Sequence, residues 1–283
     1  MLNVEVSIVK AFTKDPTQGN PAGVVLSADN LTDRQMLHIS AQLGFSESAF
    51  VQKSDKADFR VRFFSPTQEV DLCGHATIAT FHTLLKEGSI HQGIYTQEIK
   101  AGVLDIECSG EGRIMMKQNA PVFLGDQTRD KGKIAMFLGI HEHGIMDSPL
   151  EIVSTGTPKL IIPIISRETL FHITPDFEGI KAYCRKSGAR GFYPFTAETI
   201  NKEADFHARQ FNPLAGIDED PITGVAAGAL GAYVKKYGLL NKTVLLVEQG
   251  FIMNKGGIMT VDISNGVKVG GYAVIVEKKV IES

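Results

Sequence analysis

A helix that is apolar on every side constrains this chain more than any other feature of its sequence. After the acids Glu219 and Asp220 and the turn residue Pro221, the run TGVAAGALGAYV from Thr223 contains only small or apolar residues. A helix without a polar face has to be enclosed by protein, so the pattern predicts a central helix with a domain around it. Only the end of such a helix is accessible, and its first backbone amides favour a carboxylate or phosphate. The sequence therefore predicts an anion site beside Asp220.

A second stretch, residues 70–81, has the same design. It runs from Asp71 through Gly74 into another helix of small residues, which ends near Glu87. The two stretches lie roughly 150 residues apart and share a pattern rather than an identical sequence. We interpret the recurrence as a distant duplication, with one enclosed helix in each half of the chain.

Length, charge and cysteine content exclude several classes of protein. The 283 residues suffice for two domains with a core each. The net charge is −3 and the charged residues of both signs are interspersed, which favours neither nucleic acid nor a membrane surface as a partner. No apolar run is long enough to span a bilayer, and the N-terminus lacks the pattern of a secretory signal. With three widely spaced cysteines, these features predict a soluble cytoplasmic protein.

Neither a metal nor a cofactor is predicted. The three cysteines have no CxxC spacing, so a zinc site is not indicated. The three consecutive acids that end at Asp220 point in different directions and have no His partner at ligand spacing. No P-loop is present, and no GxGxxG follows a predicted strand.

Glu47 is the first candidate for an acid–base group. Residues 45–51 alternate as a strand, and counting by two places Glu47 on the same face as Phe45 and Val51. A carboxylate on an apolar face is costly to leave charged unless a partner holds it, and such a group can act as acid or base near neutral pH. A bulge, or a strand edge facing water, would instead make Glu47 an ordinary surface residue.

His75 is the second candidate. It follows Gly74 in the first turn of a predicted helix, where the helix dipole favours the neutral imidazole. A capping or buried structural histidine is the alternative.

Cys73 could be a nucleophile at the helix start, but no Cys–His–Asn arrangement is evident, so a buried small side chain is the favoured interpretation. Asn20, in a loop rich in Gly and Pro, is interpreted from the loop alone as a turn residue.

Other elements follow ordinary start and stop signals. Thr32 and Gln35 form a capping box, and Gly44 ends the first helix. Thr174 followed by Pro175 predicts the N-cap and first residue of a later helix.

Two strand predictions bear on the candidate site. Residues 57–64 alternate, which predicts a strand with Arg60 and Arg62 on a solvated face. Residues 204–211 also alternate and predict one strand that leads into the acids before the second enclosed helix.

Several motifs, in their order along the chain, resemble the PhzF-like family of phenazine biosynthesis, which shares the diaminopimelate epimerase fold. The motifs are GNP at 19–21, GFSESAF at 44–50, FFSPTQEVDLCGHAT at 63–77, STGTPKL at 154–160, ARQFNPLAGIDEDPITGVAAGAL at 208–230 and EQG at 248–250. The resemblance covers nearly the whole chain, and separate motifs in the right order are more specific than any one of them.

This resemblance implies an α+β protein with a duplicated diaminopimelate epimerase-like fold. Each half is expected to wrap a curved, mostly antiparallel sheet around a central helix. We expect an N-terminal lobe of residues 1–120, completed by a strand at about 268–283, and a C-terminal lobe of residues 121–267. The family has its active site in the cleft between the halves and often forms dimers, so a homodimer is expected.

The resemblance also implies a function. The family's isomerase moves a hydrogen on a cyclohexadiene carboxylate without any cofactor. Its proton-transferring glutamate corresponds to Glu47, its histidine to His75 and its aspartate to Asp220. Backbone amides at the two helix ends would hold the substrate carboxylate. The expected substrate-binding residues are Asn20, Gly74, Thr223, Gly224 and Val225.

Two departures from the family's pattern concern the substrate. Val225 stands where the family often has Ser, so a hydroxyl contact is missing, and residues 254–257 replace a common Arg-Pro-Ser run. The prediction is an isomerase for a small anionic metabolite, with the phenazine substrate left open. The alternative, favoured by Val225 and Lys255, is a protein that binds such a metabolite or a protein partner without catalysis. Racemisation by two thiols is disfavoured because only Cys73 lies near a helix end.

Overall fold

The computed structural model describes residues 2–282, and the chain divides into two compact units. The first unit runs to Lys117 and resumes at Gly270, whereas the second extends from Gln118 to Val269. In chain order the elements are β1 (Asn3–Ala11), β2 (Asn20–Val25), α1 (Asp33–Leu43), β3 (Ser48–Gln52), β4 (Phe59–Phe64), β5 (Glu69–Val70), α2 (Gly74–Lys86), β6 (Gly93–Ile99), β7 (Gly102–Cys108), β8 (Ile114–Lys117), β9 (Val122–Asp126), α3 (Lys131–Leu138), β10 (Glu151–Ser154), β11 (Lys159–Pro163), α4 (Arg167–His172), α5 (Phe177–Ser187), β12 (Phe192–Thr196), β13 (Phe206–Ala208), β14 (Gln210–Asn212), β15 (Ile217–Asp220), α6 (Gly224–Tyr237), β16 (Val244–Gln249), β17 (Gly257–Asp262), β18 (Lys268–Gly271) and β19 (Ala273–Glu282). Short 3₁₀ turns lie at Thr128–Asp130, Glu142–Gly144, Pro213–Ala215 and Phe251–Met253.

In the first unit a mostly antiparallel sheet surrounds α2. β1 lies between β19 and β2 and is antiparallel to both, and β2 pairs in parallel with β3. β3 is antiparallel to β4, β4 is parallel to β6, and β6, β7 and β8 form antiparallel pairs. Helix α2 contacts β1, β2, β3, β8 and β19, and every residue from His75 to Leu84 is buried. The sequence prediction of an enclosed helix is confirmed here.

The second unit has the same arrangement around α6. β9, β10 and β11 form antiparallel pairs, and β11 is parallel to β12. β12 is antiparallel to β13 and β14, β13 is parallel to β16, and β16 is antiparallel to β17. Helix α6 contacts β10, β11 and β17 and is buried from Ala226 to Val234. Both enclosed helices predicted from composition alone are therefore present.

The order of strand pairings shows the duplication directly. In the first unit β1 and β2 are antiparallel, β2 and β3 are parallel, and β3, β4 and β5 form an antiparallel ladder that leads into α2. In the second unit β10 and β11 are antiparallel, β11 and β12 are parallel, and β12, β14 and β15 form the antiparallel ladder that leads into α6. The ladders match residue by residue, since Phe64 faces Glu69 before α2 and Phe211 faces Glu219 before α6. In this register the equivalent of Asp220 is Val70. Only the second unit therefore has an acid at this position.

The N-terminus of α1 has the predicted capping box. Thr32 Oγ1 accepts a hydrogen bond from the Gln35 amide at 3.3 Å, and Gln35 Oε1 accepts one from the Thr32 amide at 3.0 Å. Gly44 ends the helix with φ of 68°, and its N–H donates to the Ser40 carbonyl. Two otherwise unpaired amides of the first turn are satisfied in this way.

We expect Thr32→Ala to lower the free energy of unfolding by about 1 kcal/mol, because the first turn of α1 loses its side-chain acceptor. Urea denaturation measures the change. Thr32→Ser keeps an acceptor at the same place and should retain most of the stability. An equal loss in both variants would show that the methyl group, not the cap, matters.

The predicted start of α5 was wrong. The helix begins at Phe177, and its N-cap is Asp176, which accepts a hydrogen bond from the Gly179 amide at 3.0 Å. Thr174 and Pro175 lie before the helix. The carboxylate of Asp176 is a charged acceptor next to the positive end of the helix dipole, and it caps the first turn at that point.

Two predictions about strand residues were also wrong. Residues 204–211 form two short strands rather than one, because the Arg209 amide leaves the alternation and donates to the Pro194 carbonyl at 3.0 Å. Arg62 is not solvated, since its side chain is 13% exposed and forms a bidentate ion pair with the carboxylate of Glu69. Alternation gives the direction of a side chain but not what covers it.

Candidate active site

The two buried helices begin in the same way. Gly74 opens α2 after the N-cap Cys73, and Gly224 opens α6 after the N-cap Thr223. In the part of the chain that the structure describes, neither cap side chain accepts a hydrogen bond from a backbone amide of its own helix. Both helices therefore begin without a side-chain cap, and the N-terminus of a helix favours an anion.

Glu47 lies before a strand rather than inside one. β3 begins at Ser48, and its residues from Ser48 to Val51 are all buried, so the strand has no polar face. The period-two argument for Glu47 was therefore wrong, because a strand covered on both faces has no alternation to count. Its side chain is 20% exposed and lies in the connection between Gly44 and β3.

The structure brings Glu47, His75 and Cys73 together in the first unit. Glu47 Oε2 lies 3.6 Å from His75 Nε2, and Cys73 Sγ lies 3.4 Å from His75 Nδ1. The imidazole is 9% exposed. A separation of 3.6 Å is an ion-pair distance and slightly longer than a hydrogen bond, so a small side-chain rotation suffices for a proton to pass.

Gly74 lies between Cys73 and His75 in the sequence, and Asn20 lies at the same end of its sheet as Glu47. Asn20 is buried as the first residue of β2 and pairs with Ala11, so its interpretation as a turn residue was wrong. The positive φ of the preceding loop belongs to Phe12 and Gly19 instead. β2 and β3 run parallel, which places the start of β2 and Glu47 at the same end of the sheet. A Cβ on Gly74 would meet only Met116 Cε, at 3.7 Å, within 4 Å.

Asp220 lies in the second unit, at the end of β15 and before α6. It is half-buried, and its Oδ2 accepts a hydrogen bond from Thr223 Oγ1 at 2.5 Å. Gln249 holds the same turn, since its Nε2 donates to the Asp220 carbonyl at 2.8 Å and its Oε1 accepts from the Thr223 amide at 3.3 Å. Tyr193 donates to that Oε1 at 3.1 Å. The turn that carries Asp220 is therefore fixed from two other strands.

The first residues of α6 are held by their carbonyls. Gln118 Nε2 donates to the Gly224 carbonyl at 3.2 Å, and Thr155 Oγ1 lies 3.2 Å from the Val225 carbonyl. The Val225 side chain is half-buried, and a Cβ on Gly156 would come within 3.2 Å of its Cγ2. Gly156 thus leaves room for the Val225 side chain, which packs against residues 154–156.

A buried lysine near Asp220 was missed by the sequence analysis. Lys159 opens β11 and is 1% exposed. Burial lowers the pKa of Lys159 to about 8, although the charge of Asp220 acts to raise it. Lys159 belongs to the motif STGTPKL, so the sequence contained a signal for it. A single lysine in a predicted strand does not reveal which residues face its side chain in the fold.

An arginine clamp braces the strand before each helix. Arg209 donates to both carboxylate oxygens of Glu219, at 2.8 and 2.9 Å, and Arg62 does the same with Glu69, at 2.8 and 3.0 Å. The sequence signal for both was the repeat Arg-x-Phe-x-Pro at 62–66 and 209–213. Three residues that recur once are a weak signal in a sequence, and the strand register is needed to align them.

Glu248 is a buried carboxylate near the end of β16 in the second unit. Glu248 accepts hydrogen bonds from His207 Nδ1 at 2.5 Å and from the amides of Ile200 at 2.5 Å and Asn201 at 2.9 Å. Burial acts to raise the pKa of Glu248, but these hydrogen bonds outweigh it and lower the pKa below its ordinary value. Because Gln249 is the next residue, Glu248 also fixes the end of β16 that reaches Asp220.

No helix within residues 2–282 combines the length and the apolar character that crossing a membrane requires.

The fold defines the class of protein. A mostly antiparallel sheet around a buried helix, repeated once, is the diaminopimelate epimerase-like α+β fold that the sequence predicts. A hydroxyproline epimerase from Agrobacterium vitis shares this fold with a TM-score of 0.60 at 11% identity, over 99% of this chain and 91% of that one. The chain belongs to the phenazine biosynthesis-like family PhzC-PhzF, whose family model matches residues 9–279.

Individual relatives agree with this assignment. A protein named uncharacterized isomerase YfhB, from Bacillus subtilis, is 36% identical over 293 residues and is matched over 100% of both chains. A crystal structure of a PhzF-family phenazine biosynthesis protein from Bacillus anthracis superposes with a TM-score of 0.90 at 33% identity, again over 100% of both chains. The family and the fold predicted from the sequence motifs are confirmed.

Proposed function

We propose that this protein is an isomerase that moves a proton on a small carboxylate-bearing metabolite and needs neither a metal nor a cofactor. The observation that carries the proposal is the Glu47 carboxylate 3.6 Å from Nε2 of the buried His75, beside the N-terminus of an enclosed helix. Membership of the PhzC-PhzF family and the name isomerase carried by the Bacillus subtilis relative support the same reaction class.

Glu47 supplies the group that exchanges the proton. Its carboxylate takes a proton from one carbon of the substrate, and the electron pair of that C–H bond forms a new double bond to the adjacent carbon. The pair of the existing double bond moves to its far carbon, and the proton returns there. Nothing is oxidised or reduced, so the step needs no external electron carrier. His75, at ion-pair distance, holds the carboxylate in place and shares the proton while it is on the enzyme.

The helix ends bind the anion. The amides that begin α2 at Gly74 and His75, and those that begin α6 at Gly224 and Val225, favour a carboxylate because each set is the positive end of a helix dipole. Negative charge that develops on the substrate during proton removal is stabilised by the same donors.

Asp220 is the second carboxylate of the proposal, and its role as a positioning or proton-sharing group comes from the family resemblance. Its negative charge accepts the short hydrogen bond from Thr223 and is attracted by the neighbouring Lys159. Asn20 is proposed as a substrate-binding residue near Glu47. By the same resemblance we propose a homodimer that works in the cytoplasm.

Small cyclic carboxylates, including a cyclohexadiene carboxylate, are expected to raise the melting temperature, whereas their methyl esters are not. A ligand at 100 times its Kd adds about 2.7 kcal/mol to the free energy of unfolding, which a thermal-shift assay detects readily. Each stabilising compound is then incubated with the enzyme in heavy water containing EDTA and followed by NMR. Isomerised, deuterium-labelled product supports the proposal.

The same assay separates an enzyme from a binding protein. Val225 stands where the family often has Ser, so a hydroxyl contact to the substrate is missing, and its side chain packs against Gly156, which favours a site that binds without catalysis. A binding protein would show the thermal shift and leave every ligand unlabelled and unchanged. That result would replace the isomerase by a sensor or carrier of anionic metabolites.

A further inference from the structure

Three different metal-ligating side chains converge at the start of α2. His75 Nε2 lies 3.9 Å from Cys73 Sγ and 3.6 Å from Glu47 Oε2, and one ligand atom from each residue lies within 4.8 Å of the others. Zinc bonds of 2.0–2.3 Å in a tetrahedron place the ligand atoms about 3.3–3.8 Å apart. The three donors are thus within a small side-chain rotation of a zinc geometry.

The backbone fixes two of these donors and lets the third adjust. Cys73 is the N-cap of α2 in an extended conformation with φ of −140°, and His75 follows two residues later in the first turn. Both side chains are buried, at 7% and 8% exposure of the residue. Glu47 approaches from a separate connection before β3 and is more exposed, so it can rotate onto a bound ion.

The chemistry of the donors favours zinc over harder cations. Thiolate and imidazole are ligands of zinc and related transition metals, whereas magnesium and calcium prefer sites made of oxygen atoms alone. A thiolate, a carboxylate and a neutral imidazole together carry two negative charges, which equal the positive charge of Zn²⁺. A neutral total charge matters here because the site is largely withdrawn from water.

We propose that Cys73, His75 and Glu47 form a zinc-binding site with one open coordination position. Three protein ligands leave the fourth position of the tetrahedron for water or for the carboxylate of a bound metabolite. The proton released by the Cys73 thiol on binding passes to the solvent, and no bond to carbon forms or breaks.

Zinc at this site is inhibitory, a consequence that rests on the proposed function. The ion would occupy the Glu47 carboxylate and the His75 nitrogen that the isomerase uses to exchange a proton. The protein would then work without a metal and be switched off by zinc, and EDTA would restore turnover.

Cobalt(II) tests the site independently of any substrate. We expect the reduced wild-type protein to bind one Co²⁺ per chain, with tetrahedral ligand-field bands in the visible and a thiolate-to-cobalt charge-transfer band in the near ultraviolet. One equivalent of Zn²⁺ should abolish these bands. Cys73→Ala should lose the charge-transfer band, and Glu47→Gln should weaken zinc binding by at least about tenfold in competition with a colorimetric chelator.

The matched control is Cys108→Ala, which removes a buried thiol of the same unit from β7 and should leave the cobalt spectrum unchanged. Thermal unfolding shows whether each variant is folded, and Glu47→Gln changes only a partly exposed connection. A folded wild type without the thiolate band, or an unchanged band in Cys73→Ala, overturns the zinc site. If the site binds zinc and turnover is unaffected, the result contradicts the catalytic role of Glu47 and leaves the metal site standing.

Discussion

Glu47→Gln is expected to lower turnover by about 10²–10⁴-fold while the protein stays folded, because well-placed acid–base catalysis contributes a factor of that size. The carboxamide has nearly the shape of the carboxylate but cannot take up the substrate's proton. Glu47 lies outside β3 and is 20% exposed, so the fold does not depend on its charge. The measurements are kcat for a substrate found in the ligand screen and the melting temperature of the variant.

Glu87→Gln is the matched control for this substitution. Glu87 follows the other end of α2, is exposed, and forms a surface ion pair with Lys278 at 2.7 Å. Surface pairs of this kind contribute little to stability, so turnover and melting temperature should both match the wild type. Undiminished turnover in Glu47→Gln would remove Glu47 from the mechanism.

Arg209→Met is expected to lower the free energy of unfolding by about 3–5 kcal/mol, because it leaves a partly buried carboxylate without its partner. Arg209 is 5% exposed, bonds both oxygens of Glu219, and also donates to the carbonyls of Leu170 and Ile173 at 3.0 Å. Methionine fills much of the volume but satisfies none of these acceptors. Urea denaturation gives the change in free energy.

Arg60→Met serves as the control, since Arg60 is exposed on β4 and an exposed change of this type shifts stability by about 0.5 kcal/mol or less. Because Glu219 and Asp220 are consecutive residues of β15, loss of the clamp should also lower turnover in the fraction that remains folded. A loss below about 1 kcal/mol in Arg209→Met would show that the clamp is not what holds β15.

The two central helices could be predicted because their signal is entirely local. A run of small and apolar residues such as 223–234 has no face that tolerates water, so its burial follows whatever the rest of the chain does. The capping box of Thr32 and Gln35 was likewise correct because both partners lie within one turn. Motifs in the right order then specified the family, which composition and periodicity could not do.

The environment of the site could not be predicted, because its contacts join distant parts of the chain. Gln249 holds the Asp220 turn across 29 residues, and Lys159 faces a charge that only the folded strands bring near it. Glu47 was found for the wrong physical reason: β3 is covered on both faces, and the glutamate precedes the strand. The arginine clamps became visible only when the ladders before the two helices were aligned.

Solvent labelling of one compound by three proteins tests the central claim most directly. A carboxylate that stabilises the wild type is incubated in heavy water with wild type, Glu47→Gln and Glu87→Gln, and NMR follows deuterium at its carbon positions. We expect carbon-bound deuterium with wild type and Glu87→Gln at equal rates, and a rate at least about 10²-fold lower with Glu47→Gln. Equal labelling by all three proteins, or labelling by none, would contradict proton transfer by Glu47.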